Sequence, residues 1–259
     1  MDSEDIFGFT SGTDLPEKGQ KQGEFEFVGT RGKQDGSYTA LTKAVALKYM
    51  ALTDTRFAVT GAMAYHNISG VTGLEDLNRL TPQSLGFEMK HRFLDRTKAP
   101  LGLALSIEPI WSRIDEVSGV PVSQFGTGCA LVADKELVAD RLFGAVNLLY
   151  DLAASRVLET GEWERESSIG VGTAASLQFQ QGFFLGLEAR YFRAYEGLTL
   201  GSFAGEALFV GPTAYVNKCC FLAAAWNVQA WGRASGGAGS LDLENFERHQ
   251  ATVKFGFDF

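Results

Sequence analysis

No stretch of this sequence is apolar for long enough to make a membrane-spanning helix, which needs roughly 18–20 consecutive apolar residues. The longest candidate, Cys219 to Trp226, falls far short of that length. A mean hydropathy of −0.03 likewise excludes a helical membrane protein. Proline is scarce, 6 residues against 30 glycines, a balance that points to turns and strands and away from helical bundles. The three cysteines, Cys129, Cys219 and Cys220, are odd in number and two are adjacent, which suits neither a disulfide framework nor a zinc site; they read as small packing residues. No basic run or stripe occurs and the net charge is −8, so a nucleic-acid partner is excluded. Nor does a leader stand at the start. Met1-Asp-Ser-Glu-Asp reads as a mature beginning behind an initiator Met, with the exporting segment expected to have been removed.

What is present is alternation. Leu85, Phe87, Met89, His91 and Phe93 are interleaved with Gly86, Glu88, Lys90 and Arg92, a period of two that a helix would scatter around its circumference. The same pattern recurs at about 24–31, 38–52, 55–66, 101–111, 127–135, 142–150, 168–180, 185–191, 206–216 and 220–232. Polar turn residues separate these stretches. Short connections near 53, 96, 137, 181 and 217 alternate with longer ones near 74, 120, 160, 200 and 239. Lys135 to Asp140 is read as a single helical turn, and Pro109, inside the fifth stretch, is expected near a rim or a bulge because it cannot donate to a ladder.

The final stretch runs Ala251-Thr-Val-Lys-Phe-Gly-Phe-Asp-Phe259, with Ala251, Val253, Phe255, Phe257 and Phe259 on one face and polar or small residues on the other. An alternating strand closing on Phe resembles the C-terminal signature of bacterial outer-membrane β-barrels. That resemblance implies an all-β fold, a transmembrane antiparallel up-and-down β-barrel of about twelve strands over residues 23–259. It also implies a bacterial outer-membrane location, with lipid and lipopolysaccharide around the barrel. Residues 1–22 lack a period and form a periplasmic arm whose one apolar anchor, Ile6-Phe7-Gly8-Phe9, would enter the lumen. Two aromatic girdles follow from this topology: Tyr65, Trp111, Tyr150 and Tyr191 at the outer rim, and Tyr49, Phe93, Tyr215, Phe257 and Phe259 at the inner one.

With the large apolar residues facing lipid, the lumen is lined by Glu24, Glu26, Lys48, Glu88, Lys90, Arg92, Glu108, Glu188, Arg190 and Lys254. The same parity turns Phe143, Leu149, Leu208, Val210, Phe221 and Trp231 inward and leaves Phe209 and Tyr215 outside. Charges of both signs would either fill a small barrel with ion pairs or define a channel's constriction. The leading function is therefore passive passage of a small-molecule solute. The alternatives are a closed structural or adhesive barrel acting through acidic loops, and an outer-leaflet lipid hydrolase. His66, His91 and His249 stand at no recognisable spacing from a serine and read as rim histidines, so no enzymatic activity, cofactor or metal is expected.

Overall fold

In a computed structural model, which describes residues 4–237 and 239–259, twelve antiparallel strands close into one barrel. They are β1 (Lys21–Arg31), β2 (Ser37–Leu52), β3 (Thr55–Ser69), β4 (Leu77–Leu94), β5 (Gly102–Ile114), β6 (Pro121–Val138), β7 (Leu142–Val157), β8 (Trp163–Gln180), β9 (Phe183–Glu196), β10 (Phe203–Asn217), β11 (Phe221–Ala234) and β12 (His249–Asp258). Each strand pairs with its chain neighbours, and β1 pairs with β12 from Gln22↔Asp258 to Arg31↔His249, so the sheet has no free edge.

Closure matters because hydrocarbon offers backbone amides no partner, and a closed ladder satisfies every one of them internally. The outward rows are apolar and open: Val45 and Leu47 on β2, Leu85 and Phe87 on β4, Leu185 and Leu187 on β9, Phe255 and Phe257 on β12. A soluble protein would cover a surface of this extent; a lipid-facing barrel needs it.

The structure departs from the sequence reading in several places. β6 runs on to Val138, and the chain turns over 139–141, where a helical turn was expected. Pro109 lies mid-strand. There the β4–β5 ladder is interrupted between Gly86↔Ile110 and Met89↔Ile107 with no change of register, so the missing N–H costs pairing without producing a bulge. Phe209 and Tyr215 are buried inside, and Val210 is exposed outside with Leu208 beside it on the same alternation. Trp231 also faces out, because the β10–β11 register shifts between Leu208↔Trp231 and Phe209↔Gln229 and the extra residue, Ala230, flips the parity.

Residues 4–20 lie against the inner wall at the short-turn end. Gly19 N donates to Met50 O at 2.8 Å and Met50 N donates to Gln20 O at 3.0 Å, tying the segment to the end of β2. Further in, Ile6 and Phe7 are buried among Phe143, Phe184, Tyr215 and Phe221. Burying two such side chains stabilises by about 3–6 kcal/mol. Gly8 permits the turn that follows: its φ is +85°, and a Cβ there would stand 2.7 Å from Ala225 Cβ. From the opposite end the β11–β12 connection folds inward. Gln229 Nε2 donates to Asp242 O at 2.9 Å and its Oε1 accepts from Asp242 N at 2.7 Å, while Asn245 Nδ2 donates to Ala204 O at 3.2 Å.

Candidate functional site in the barrel lumen

Two walls of different chemistry face each other across the lumen. β1–β5 and β12 carry most of the charge, because their inward positions hold Glu24, Glu26, Lys48, Arg56, Glu88, Lys90, Glu108 and Lys254, which all line a cavity of about 280 Å³. Lys48 Nζ bonds Glu24 Oε2 at 2.6 Å, Arg56 Nη2 bonds Glu88 Oε1 at 2.7 Å, and Lys254 Nζ lies 4.0 Å from Glu26 Oε1. Arg92 does not join them: it pairs with Asp54 of the β2–β3 turn at 2.9 Å, at the barrel's end.

Residues 4–14 bridge the two walls. Glu4 accepts from Arg56 Nη1 through Oε2 and from Lys90 Nζ through Oε1 at 2.6 Å. Lys90 also donates to Ser11 Oγ at 3.2 Å and to Gly12 O at 2.8 Å, so each of these partners belongs to the N-terminal segment. Asp5 lies 3.4 Å from Lys254 Nζ, and Asp14 holds Arg96 at 2.5 Å.

On the opposite wall, Glu188 accepts the Thr10 N–H at 3.0 Å and the Asn227 amide at 2.6 Å. Asn147 accepts from Ser11 N at 2.8 Å and donates to Ser11 O at 2.9 Å, matching the backbone as a neighbouring strand would. The Phe9 ring lies 3.8 Å from the Arg190 guanidinium, which also donates to Gln250 Oε1 at 2.6 Å. Phe209 extends this stack toward the loop end and meets Phe246 of the infolded connection at 6.3 Å.

Above Glu108 the lumen widens into a vestibule of about 800 Å³. Its wall includes Glu108, Glu116, Asp151, Glu164, Glu166 and Glu196, with Arg165 among them. Glu116 stands in the 115–120 connection, open to the vestibule's water yet ringed by loop atoms. Desolvation by the surrounding loop pushes its carboxyl up to about 7, with Glu247, Asp115, Glu166 and Asp151 adding to the rise. His66 lies near the loop-end rim of β3 but is not solvated: it is buried, and its Nε2 donates to Glu116 O at 2.8 Å. His249 stacks on Trp226 and His91 bonds Thr55, so the three do not converge.

Arg56, Asn147, Asn227 and the vestibule acids other than Glu108 were not picked out in the sequence reading. Arg56 had a signal, since it precedes Phe57 in the alternation of β3; the uncharged amides had none. Among the described residues no group of three or more His, Cys, Asp or Glu is arranged to hold a metal ion.

A closed twelve-stranded antiparallel barrel with an apolar outside and a charged inside is the outer-membrane barrel class. Solved structures of that class share the fold. An outer-membrane channel of the COG4313 type from Pseudomonas putida F1 superposes with a TM-score of 0.64 at 11% identity, covering 95% of this chain and 98% of that one. The NanC porin gives 0.53 at 8% identity, covering 90% and 98%. The translocator domain of the autotransporter NalP from Neisseria meningitidis gives 0.54 at 18%, covering 95% and 91%. The chain belongs to DUF6662, a family of unknown function, which it matches over residues 1–259. No curated protein matches it.

Proposed function

We propose that this protein is an outer-membrane channel for small solutes, with its short turns and N-terminal segment toward the periplasm and its longer loops outside. The reading rests on the two cavities, about 800 and about 280 Å³, which share Glu108 as a lining residue and together extend from the loop end to residues 4–11. A barrel that served only as a membrane anchor would gain by filling this space with side chains. The channel-type fold relatives support the same reading, and the infolded 239–248 connection narrows the mouth without filling it. Lipid and lipopolysaccharide surround the apolar outside in this proposal, and no catalytic step is assigned.

The vestibule acids give the expected selectivity. Carboxylates in a low-dielectric mouth raise the local concentration of cations, so the conducting state should prefer them. Glu116 makes that preference depend on pH. An acid whose pKa is raised to about 7 is protonated below that value and charged above it. In planar bilayers under a potassium chloride gradient, the reversal potential should therefore move toward cation preference as pH rises from 6 to 8. Glu116→Gln should flatten that change. A wild-type protein whose reversal potential is flat over this range would remove Glu116 from the pathway.

Orientation has its own test. In a background lacking the native cysteines, Gly73→Cys should react with an impermeant maleimide on whole cells and Lys218→Cys should not. The reverse pattern would invert the proposed topology.

A further inference from the structure

We infer that Arg56 and Lys90 form a binding site for the carboxylate group of a small solute, and that Glu4 occupies it as a tethered competitor. The inference deepens the channel reading by naming the solute's chemistry.

The charge pairing of the wall carries it. Within the wall itself Lys48 is matched by Glu24, Lys254 by Glu26 and Arg56 by Glu88. Lys90 is the cation whose bonded partners, Glu4, Ser11 and Gly12, all come from the N-terminal segment. Arg56 and Lys90 are each only 2% exposed, and both line the 280 Å³ cavity. An ammonium held that far from bulk water needs an anion beside it, so a wall that leaves Lys90 to an external group is built to receive one.

Glu4 shows which group fits. Its two oxygens go to different cations, Oε2 to Arg56 and Oε1 to Lys90, which is a carboxylate's bridging geometry; a spherical halide could not bridge them in the same way. Register brings the two cations together. Arg56 and Lys90 are directly paired across β3 and β4, and the inward parity of both strands turns them into the lumen side by side.

Apart from Ser11 and Gly12, which also bond Lys90, the segment is held by contacts that do not use this site: Phe9 on Arg190, Thr10 on Glu188, and Ile6 and Phe7 in their aromatic pocket. Removing the Glu4 carboxylate therefore vacates the anion position between Arg56 and Lys90 while leaving the other anchors in place. The acids of the vestibule above would repel a polyanion, so the ligand is a small monocarboxylate, and one that also carries an amine would suit both regions.

The experiment is chemical rescue of Glu4→Ala in the full chain, folded in detergent, with sodium propionate as the probe and sodium chloride at equal ionic strength as the control. The substitution should lower Tm by roughly 5 °C or more, because two buried cations lose their shared anion. Propionate at millimolar concentration should restore most of the loss, and chloride should not. Adding Lys90→Met should abolish the rescue. Equal responses to the two salts, or rescue that survives Lys90→Met, would overturn the proposal.

If Glu4→Ala fails to fold, the wild-type Glu4 background provides the test. A thiol introduced by Thr13→Cys, at a buried position of the segment, should react faster with maleimide in propionate than in chloride as the ligand displaces Glu4. Equal rates would sink the idea. Propionate rescue in a barrel that never conducts would instead leave the site standing and remove the channel reading.

Discussion

Arg56→Met is expected to destabilise the folded barrel by about 3–5 kcal/mol, the usual result of stripping one partner from a buried ion cluster. Arg56 bonds both Glu4 and Glu88. Met fills a similar volume but leaves two carboxylates facing one another in a confined space, with Glu4 bonded to Lys90 and no longer to Arg56. Urea unfolding of protein refolded into liposomes, read by heat-dependent gel mobility, measures the loss. Combining Arg56→Met with Glu4→Gln should recover part of it, since one uncompensated charge is then gone, and the cycle isolates the Arg56–Glu4 coupling. A loss under about 1 kcal/mol would mean that water reaches the cluster freely and that the ion pairs contribute little.

Deleting residues 4–16 is expected to raise single-channel conductance severalfold. The segment spans from the charged wall at Arg56 and Lys90 to the opposite wall at Asn147 and Glu188, and so obstructs the lumen between them. Without it, the 280 Å³ cavity opens directly to the turn end. Planar-bilayer recordings of the full chain and the deletion, each shown to be folded by heat modifiability, decide the matter. Full-length protein should open in brief steps and the truncated protein should stay open. Silence from both forms would transfer the argument to the closed structural barrel.

The fold was legible because lipid imposes a simple code. Over 85–93 of β4 and 185–191 of β9 alternate residues are mostly large and apolar and the intervening ones are charged or glycine, so period and parity can be read together. The lumen was legible where it is charged: Glu24, Lys48, Glu88, Lys90 and Lys254 announce themselves by alternating with Phe, Leu and Val. The code failed on β10 and β11. There both faces are apolar, one toward lipid and the other toward Ile6 and Phe7, so hydrophobicity carries no parity information and Phe209 and Tyr215 could be taken for outside residues. The bulge at Ala230 then reversed Trp231, and no composition signal marks a bulge of that kind. The partners of Glu4, Thr10 and Asp14 were beyond reach for a different reason. They lie in a segment with no period, and the contacts they make depend on which strands the closed barrel brings opposite them.

Those contacts also bear on how the molecule is made. Asp5 meets Lys254, 249 positions later, and Thr10 meets Glu188, 178 positions later. Residues 5 and 10 therefore find these partners only after most of the strands have been synthesised. Contacts of such long sequence separation are slow to form, because the entropy of closing the loop is lost before any bond repays it. The β1–β12 seam is expected to zip with residues 4–14 already inside, since a finished barrel would admit Phe7 to its aromatic pocket only through the turn end. Residues 4–14 would then serve as a mandrel around which the last strand is set, and a chain that closed without them would be a kinetically trapped hollow form with the same strand pairing and a different interior.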